Sequence, residues 1–258
     1  MNTANTKPID HAFAQTTQLL FGKDFSPVED YGKWLLKRIP NFKVCNSSIT
    51  GKKIIIPDYS VFQFIPKNKA AGLDSLEELS KRQIEIKEND TVSTLSEKLK
   101  VISVYIAEFV EGQNQDVTDS AIYNNLSTAY KIVDCFNSKY LAYSFFNDDC
   151  EYIFGTSRCF DSQFCIHAYN SRKISMCFEV DACKDCSQLM FSHNCQSVHE
   201  SIFCFNAKNL RYAVCNHVVG REKYLKVKNM VVDYVLENMK KKKSLDVDIF
   251  TIGCVTSL

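Results

Sequence analysis

Between residues 135 and 213 polar and apolar positions recur with a period of three. Read from Cys135, every third residue is uncharged: Ser138, Leu141, Ser144, Asn147, Cys150, Ile153, Thr156, Cys159, Ser162, Cys165, Ala168, Ser171, Ile174, Cys177, Val180, Cys183, Cys186, Leu189, Ser192, Cys195, Val198, Ser201, Cys204, Ala207, Leu210 and Ala213. The other two phases hold all fifteen of the Asp, Glu, Lys and Arg in this stretch. A strand alternates with period two, and an α-helix of period 3.6 would carry an every-third stripe around its circumference. A 3₁₀ helix has the period but rarely runs beyond a turn. The solution left is a chain that turns continually, one residue inward and two outward at each step, winding a narrow solenoid whose coils bury a core by stacking. Small side chains suit such an axis, because wider ones would force the coils apart.

The coil length has two readings. Cys150, Cys159, Cys177, Cys186, Cys195 and Cys204 fall on a grid of nine, with Ala168 in the gap, whereas aromatic residues recur nearer twelve, at Tyr152 with Phe154, then Phe164, Phe178, Phe191 and Phe203 with Phe205. Coils of roughly 12 to 18 residues stacked at about 4.8 Å make a rod on the order of 25 Å long. The expectation is a parallel β-solenoid, with cysteines stacked along the inside and aromatics packed outside.

Other patterns frame this segment. Ser26-Pro27-Val28-Glu29 has the form of a capping box with proline at the first helical position, predicting a helix from Pro27 to Arg38 that Pro40 stops. Phe42 to Pro66 reads as a hairpin around Thr50-Gly51-Lys52, and Leu73 to Ile86 as a short helix. Val92, Leu95, Leu99, Ile102, Ile106 and Phe109 are spaced as a heptad seam, which predicts a helix from Asp90 to Gly112. Its partner would be a helix over Val117 to Val133 or a copy in a neighbouring chain. After Gly220, Arg221 to Lys243 places Tyr224, Val227, Val231, Val235 and Met239 on one helical face, expected to cap the end of the stack. Leu245 to Ile252 alternates like a terminal strand. The fold expected is therefore α+β: a helical domain over 1–134 with a hairpin at 42–66, a Cys-lined parallel β-solenoid over 135–216, and a capping helix with a terminal strand over 217–258.

Composition narrows the function classes. The 258 residues carry a net charge of +1, far from the basic excess of a chain whose task is to neutralise nucleic acid. The first fifteen residues hold no signal-peptide core, and no uncharged apolar run approaches a membrane span. Twelve cysteines in that context point to free thiols in a reducing, intracellular compartment.

One segment carries a resemblance. Cys183-Lys184-Asp185-Cys186, then Phe205-Asn206-Ala207-Lys208-Asn209-Leu210-Arg211-Tyr212-Ala213-Val214-Cys215-Asn216, then Arg221-Glu222-Lys223-Tyr224, is similar to the end of Cys-ladder β-solenoids in uncharacterised prokaryotic and viral proteins. It covers about residues 175–230. The resemblance implies no activity, and its members include proteins that belong to virus particles.

Catalytic signals are weak. No glycine-rich phosphate loop is present, and His199-Glu200 lacks the Pro-Cys-x-x-Cys partner of a nucleotide deaminase. His167 and His199 lie near Cys165 and Cys195 but in outward phases, which argues against a Cys-His nucleophile. Cys183, Cys186, His193 and Cys195 could supply a tetrahedral zinc site, although the cysteines are also plain members of the inward phase. The expected function is a non-enzymatic structural protein of a virus particle or similar intracellular assembly, without a cofactor. Its partners would be copies of itself or other structural subunits, met through Val92, Leu95, Leu99, Ile102, Ile106 and Phe109. The alternatives are a zinc-binding module or zinc-dependent enzyme at 183–195, and an adaptor that binds peptide at an exposed coil edge.

Overall fold

The computed structural model describes residues 7–39, 42–124, 126, 128–135, 140–147, 152–156, 164–167, 169, 175, 177–181 and 187–254. The chain divides into two compact units, one of residues 1–40 with 111–258, the other of residues 41–110. The first opens with helix α1 (Lys7–Phe21) and a short helix α2 (Gly32–Leu35). The expected helix from Pro27 to Arg38 is thus broken into a 3₁₀ turn, Val28–Tyr31, and α2. Ser26 forms no cap there. Instead Asp10 of α1 reaches across to accept the Val28 N–H at 2.9 Å, so a tertiary contact replaces the local one.

The unit of residues 41–110 contains an antiparallel hairpin, β1 (Lys43–Asn46) and β2 (Lys53–Ile56), at the place the turn residues predict. Then follow β3 (Ala70–Ala71), α3 (Leu76–Ser80), α4 (Val92–Leu99) and β4 (Tyr105–Ile106), with β3 and β4 paired in parallel. Its small core is Ile54, Ile56, Ala70 and Ala107, with Cys45, Phe62 and Ile65 packed against it.

The helix predicted from Asp90 to Gly112 is corrected to two turns. Thr91 and Thr94 close a capping box at its start, and the helix ends at Leu99. Beyond it the run Val101-Ile102-Ser103-Val104-Tyr105-Ile106 is β-branched and aromatic, and its Tyr105-Ile106 end joins a sheet. The apolar three-and-four spacing therefore came from a helix followed by a strand.

The solenoid occupies the rest of the first unit. After β5 (Phe109–Glu111) come β6 (Val117–Thr118), β7 (Ile122–Asn124), β8 (Thr128–Tyr130) and β9 (Val133–Cys135), so the helix considered over Val117 to Val133 is absent. Next are β10 (Tyr140–Asn147), β11 (Tyr152–Thr156), β12 (Phe164–His167), β13 (Cys177–Glu179), β14 (Ser187–Met190), β15 (His199–Ile202) and β16 (Arg211–Val214). Consecutive coils pair in parallel with a shift of twelve residues. Val117 meets Ala129, Ala129 meets Leu141, Leu141 meets Ile153, Ile153 meets Cys165, and Cys165 meets Cys177. The bridge from Val180 to Ser192 carries the same shift onward, and Leu189 meets Ser201, which meets Ala213.

A coil of twelve with an inward residue every three has four sides. Backbone geometry shows how it turns: every third residue from Gln188 to Cys215 lies in the left-handed region, with φ between 39° and 54°. Each but the last, Cys215, is the residue just before an inward one. That conformation costs a non-glycine residue roughly 1–2 kcal/mol, so stacking must offset it. The amides at the corners donate to neighbouring coils: His193 to Cys204, Gln196 to Ala207 and His199 to Leu210, while Asn206 and Asn209 reach back to His193 and Gln196, all at 2.8–3.0 Å.

The buried axis consists of the predicted phase alone: Leu126, Ala129, Ile132, Ile153, Cys165, Cys177, Val180, Leu189, Cys195, Val198, Cys204, Ala207 and Ala213. Inward Cys and Ser serve a further purpose. Cys177, Ser192, Cys195, Ser201 and Cys204 each donate to the carbonyl two residues earlier, satisfying a group that the turn leaves inside. Cysteine here is a small side chain with a weak donor.

One side of the solenoid is apolar on its outside too. Ala142, Phe154, Ile166, Phe178, Met190 and Ile202 are buried at successive twelve-residue positions. Phe13 and Phe21 of α1 meet Phe154 and Phe178 edge-on at 4.9 and 5.0 Å, and Trp34 of α2 approaches Phe178 at 6.0 Å. Helix α5 (Arg221–Lys242) buries Tyr224, Val231, Val235 and Met239 and packs on β15 and β16. The edge of the last coil is met by β17 (His217–Val218), antiparallel to β16. Leu245 to Ile252 is no strand. It turns around Asp248, whose side chain accepts from the Phe250 N–H and Thr251 Oγ1, while Leu245, Val247 and Ile249 are buried.

Candidate functional site

Of the proposed zinc ligands, Cys183 and Cys186 lie outside the described residues. Cys195 is on the axis, its Sγ donating to the carbonyls of His193 and Cys204 at 3.4 Å, and burial pushes its thiol up to about 11. His193 lies in an outward phase and pairs through Nδ1 with Asp181 Oδ2 at 2.5 Å. Among the described residues no three His, Cys, Asp or Glu converge as a metal site would require.

Thiol reagents test the axis directly. In the native protein Cys215 and Cys254 are exposed and should react at once with Ellman's reagent, whereas Cys165, Cys177, Cys195 and Cys204 should react only on unfolding. Rapid native labelling of all four would contradict a closed axis.

His199 does not engage Cys195. Its Nδ1 shares a 3.1 Å hydrogen bond with Ser187 Oγ, the residue one coil earlier. One coil later Arg211 donates from Nε to Glu200 Oε2 at 3.1 Å, and Ser187, His199, Glu200 and Arg211 line an open recess of about 300 Å³. The sequence singles out His199 for its cysteine neighbour and for the adjacent Glu200, not for this row. The twelve-residue register, once known, would have shown the row.

A second polar cluster lies under the C-terminal turn. Arg38 donates Nε and Nη2 to Asp248 Oδ2 at 3.1 and 3.0 Å, and Lys37 Nζ is 3.0 Å from the same atom. These cations hold Asp248 below the usual carboxylate range although its burial opposes them. Nearby Glu179 is 2% exposed and its Oε2 has no hydrogen-bond partner among the described residues. Burial first, and the charge of Asp248 second, push Glu179 up to about 8.

The six expected contact residues divide among elements. Val92, Leu95 and Leu99 share α4, Ile102 follows it, Ile106 is on β4 and Phe109 on β5. Val92 is 87% exposed, and Leu99 and Phe109 are also exposed. They have company: Val44, Val61, Phe64, Leu76, Ile86, Val101 and Tyr105, all in residues 41–110, are exposed as well. Among the described residues, ten of the fifteen exposed large apolar side chains thus fall in residues 41–110, so this unit carries more apolar surface than its share.

The fold and its filled axis define a parallel β-solenoid with a C-terminal helix. Comparison finds no match for this chain among family models, curated proteins or solved structures. Among the described residues no helix is long and apolar enough to cross a membrane.

Proposed function

We propose that this chain is a non-enzymatic structural subunit of a large intracellular assembly, of the kind that builds virus particles, in which the solenoid is a stiff spacer and residues 41–110 contact neighbouring copies. The observation that carries the reading is the concentration of exposed apolar side chains on that unit, above all Val92, Phe64 and Ile86 at 87%, 78% and 72% exposure. Charge supports it. Residues 41–110 hold ten Lys and Arg against nine Asp and Glu, and the whole chain has a net charge of +1, so copies approach one another without long-range repulsion. The stacked axis favours a spacer, since the described coils from residue 190 to 215 are held to one another by hydrogen bonds.

Sedimentation of the full chain at micromolar concentration tests the proposal. A multimer is expected, dispersed to monomer by Phe64→Asp combined with Val92→Asp, while far-ultraviolet circular dichroism stays unchanged. A wild-type monomer at that concentration would refute self-assembly through this unit.

A further inference from the structure

Ser187, His199 and Arg211 are Cα partners on three consecutive coils, so their side chains leave the solenoid in one row with a rise of about 4.8 Å between members. All three are tied, Ser187 and His199 to each other and Arg211 to Glu200, in ways that leave donor groups for something else. The hydrogen bond between Ser187 Oγ and His199 Nδ1 occupies one ring nitrogen and leaves Nε2 as the second polar atom of the imidazole. Arg211 uses Nε for Glu200 Oε2, and its guanidinium carbon lies 5.0 Å from the centre of the Tyr212 ring. Both contacts, with a side-chain hydrogen bond between Arg211 and Tyr212, limit the rotamer freedom of the arginine, and Glu200 takes Nε alone rather than the paired nitrogens of the fork.

The recess these residues line with Glu200 is about 300 Å³ and open to solvent. Its acid is balanced on two sides, by Arg211 at 3.1 Å and by the charge of Lys228 on α5, which interacts with Glu200 and is itself half-buried. An imidazole held by a hydroxyl, and a guanidinium one coil further on, match an anion that accepts from several directions. With Ser187 donating to Nδ1, His199 carries its proton on Nε2, so the hydroxyl sets the tautomer and the imidazole and guanidinium are the donors. A carboxylate could satisfy the arginine but has two oxygens in one plane, whereas a tetrahedral oxyanion offers acceptors to both groups together.

We propose that this recess binds a phosphate-type oxyanion, either the free ion or the terminal phosphate of a phosphomonoester. The site belongs to the solenoid, involves none of the apolar residues of 41–110, and stands or falls independently of self-assembly. Because the recess is open, the affinity rests on the guanidinium fork: charge-assisted hydrogen bonds of this kind make removal of the arginine cost about tenfold or more in binding.

The test is calorimetric titration of the full-length protein with inorganic phosphate and, separately, glycerol phosphate, at constant ionic strength. The His199 ring resonances are followed by nuclear magnetic resonance in parallel. Saturable binding that shifts His199, weakened about tenfold or more in both Arg211→Gln and His199→Gln, is the expected result. Tighter binding of glycerol phosphate assigns the site to a phosphomonoester, and equal or weaker binding to the free ion. Failure to saturate, or equal affinity in Arg211→Gln, would overturn the proposal. Ser187→Ala supplies a milder variant should either substitution disturb the fold, and it should weaken binding while leaving circular dichroism unchanged.

Discussion

Alanine at position 155 is expected to cost the protein several kcal/mol and to leave much of it unfolded at moderate urea concentrations. Gly155 sits in β11 at a corner of the coil with φ of +90°, a region that L side chains rarely adopt. It also lies directly against the backbone of α2. A Cβ there would stand 2.4 Å from the carbonyl oxygen of Leu35 and 3.2 Å from that of Ile166, and both are backbone atoms that no rotamer change can move. Backbone strain contributes roughly 1–2 kcal/mol, and forced overpacking typically adds about 1–3 kcal/mol. A domain of this size has on the order of 5–15 kcal/mol in total. Urea unfolding followed by circular dichroism should show a midpoint far below wild type. Gly253, with nothing within 4 Å of its virtual Cβ, is the control and should tolerate alanine. An unchanged midpoint for Gly155→Ala would mean that α2 is free to retreat, against the close packing of Trp34 and Leu35 described above.

The second large effect is a loss of stability as pH rises, traced to Glu179. Its carboxyl is held up to about 8 in the folded protein, against an ordinary value of 4.5, by burial and by Asp248; the Ile249 amide, Lys37 and Arg38 pull the other way. The folded state therefore keeps a proton that the unfolded chain releases. The contribution is fully present below about pH 4.5 and is lost as pH climbs to about 8, a change of a few kcal/mol on the order of 1.4 kcal/mol per unit. Asp248 is lowered and acts in the opposite sense, adding stability that is lost only in acid. Thermal melts from pH 5.5 to 9 should show a falling midpoint in wild type. Glu179→Gln, neutral at every pH and of the same shape, should flatten that fall. Parallel profiles for the two proteins would show that Glu179 is not the group responsible.

The axis was legible in the sequence because its constraint is severe: any charge at an inward position would be buried among Cys165, Leu189 and Val198. The same phase already ran through Val117, Ser120, Tyr123, Leu126, Ala129 and Ile132, and the start of the solenoid could have been placed there from the pattern alone. Coil length was harder. Cysteines nine apart lie three sides apart on a four-sided coil, so Cys177, Cys195 and Cys204 occupy different corners, and the grid of nine marks no repeat of the structure. The aromatics near twelve reported the coil truly, since Phe154, Phe178 and their equivalents share one side beneath the helices.

Elements settled by tertiary contacts were read least well. Helix α1 buries Ile9, Phe13, Thr16, Thr17 and Leu20, and two threonines on that face blurred its apolar stripe; both satisfy their hydroxyls on carbonyls of the preceding turn. The seam from Val92 to Phe109 showed the opposite error, a regular spacing with no single element beneath it. The polar clusters were invisible for a further reason. Ser187 and Arg211 are neighbours of His199 only because the coil returns after twelve residues, and Asp248 meets Arg38 across the length of the chain.

The left-handed corners at every third residue also decide how such a protein changes length. Removing or adding three residues keeps every inward side chain inward, so the axis survives, yet everything downstream rotates by one side. Met190 and Ile202 would then leave the shelter of the helices, and their places would fall to Ser187 and His199 after an insertion of three or to His193 and Phe205 after a removal of three. Only a change of twelve restores all four sides. Variation in the rod is therefore quantised in whole coils, and a shorter or longer version that keeps its helices in place differs from this one by a multiple of twelve.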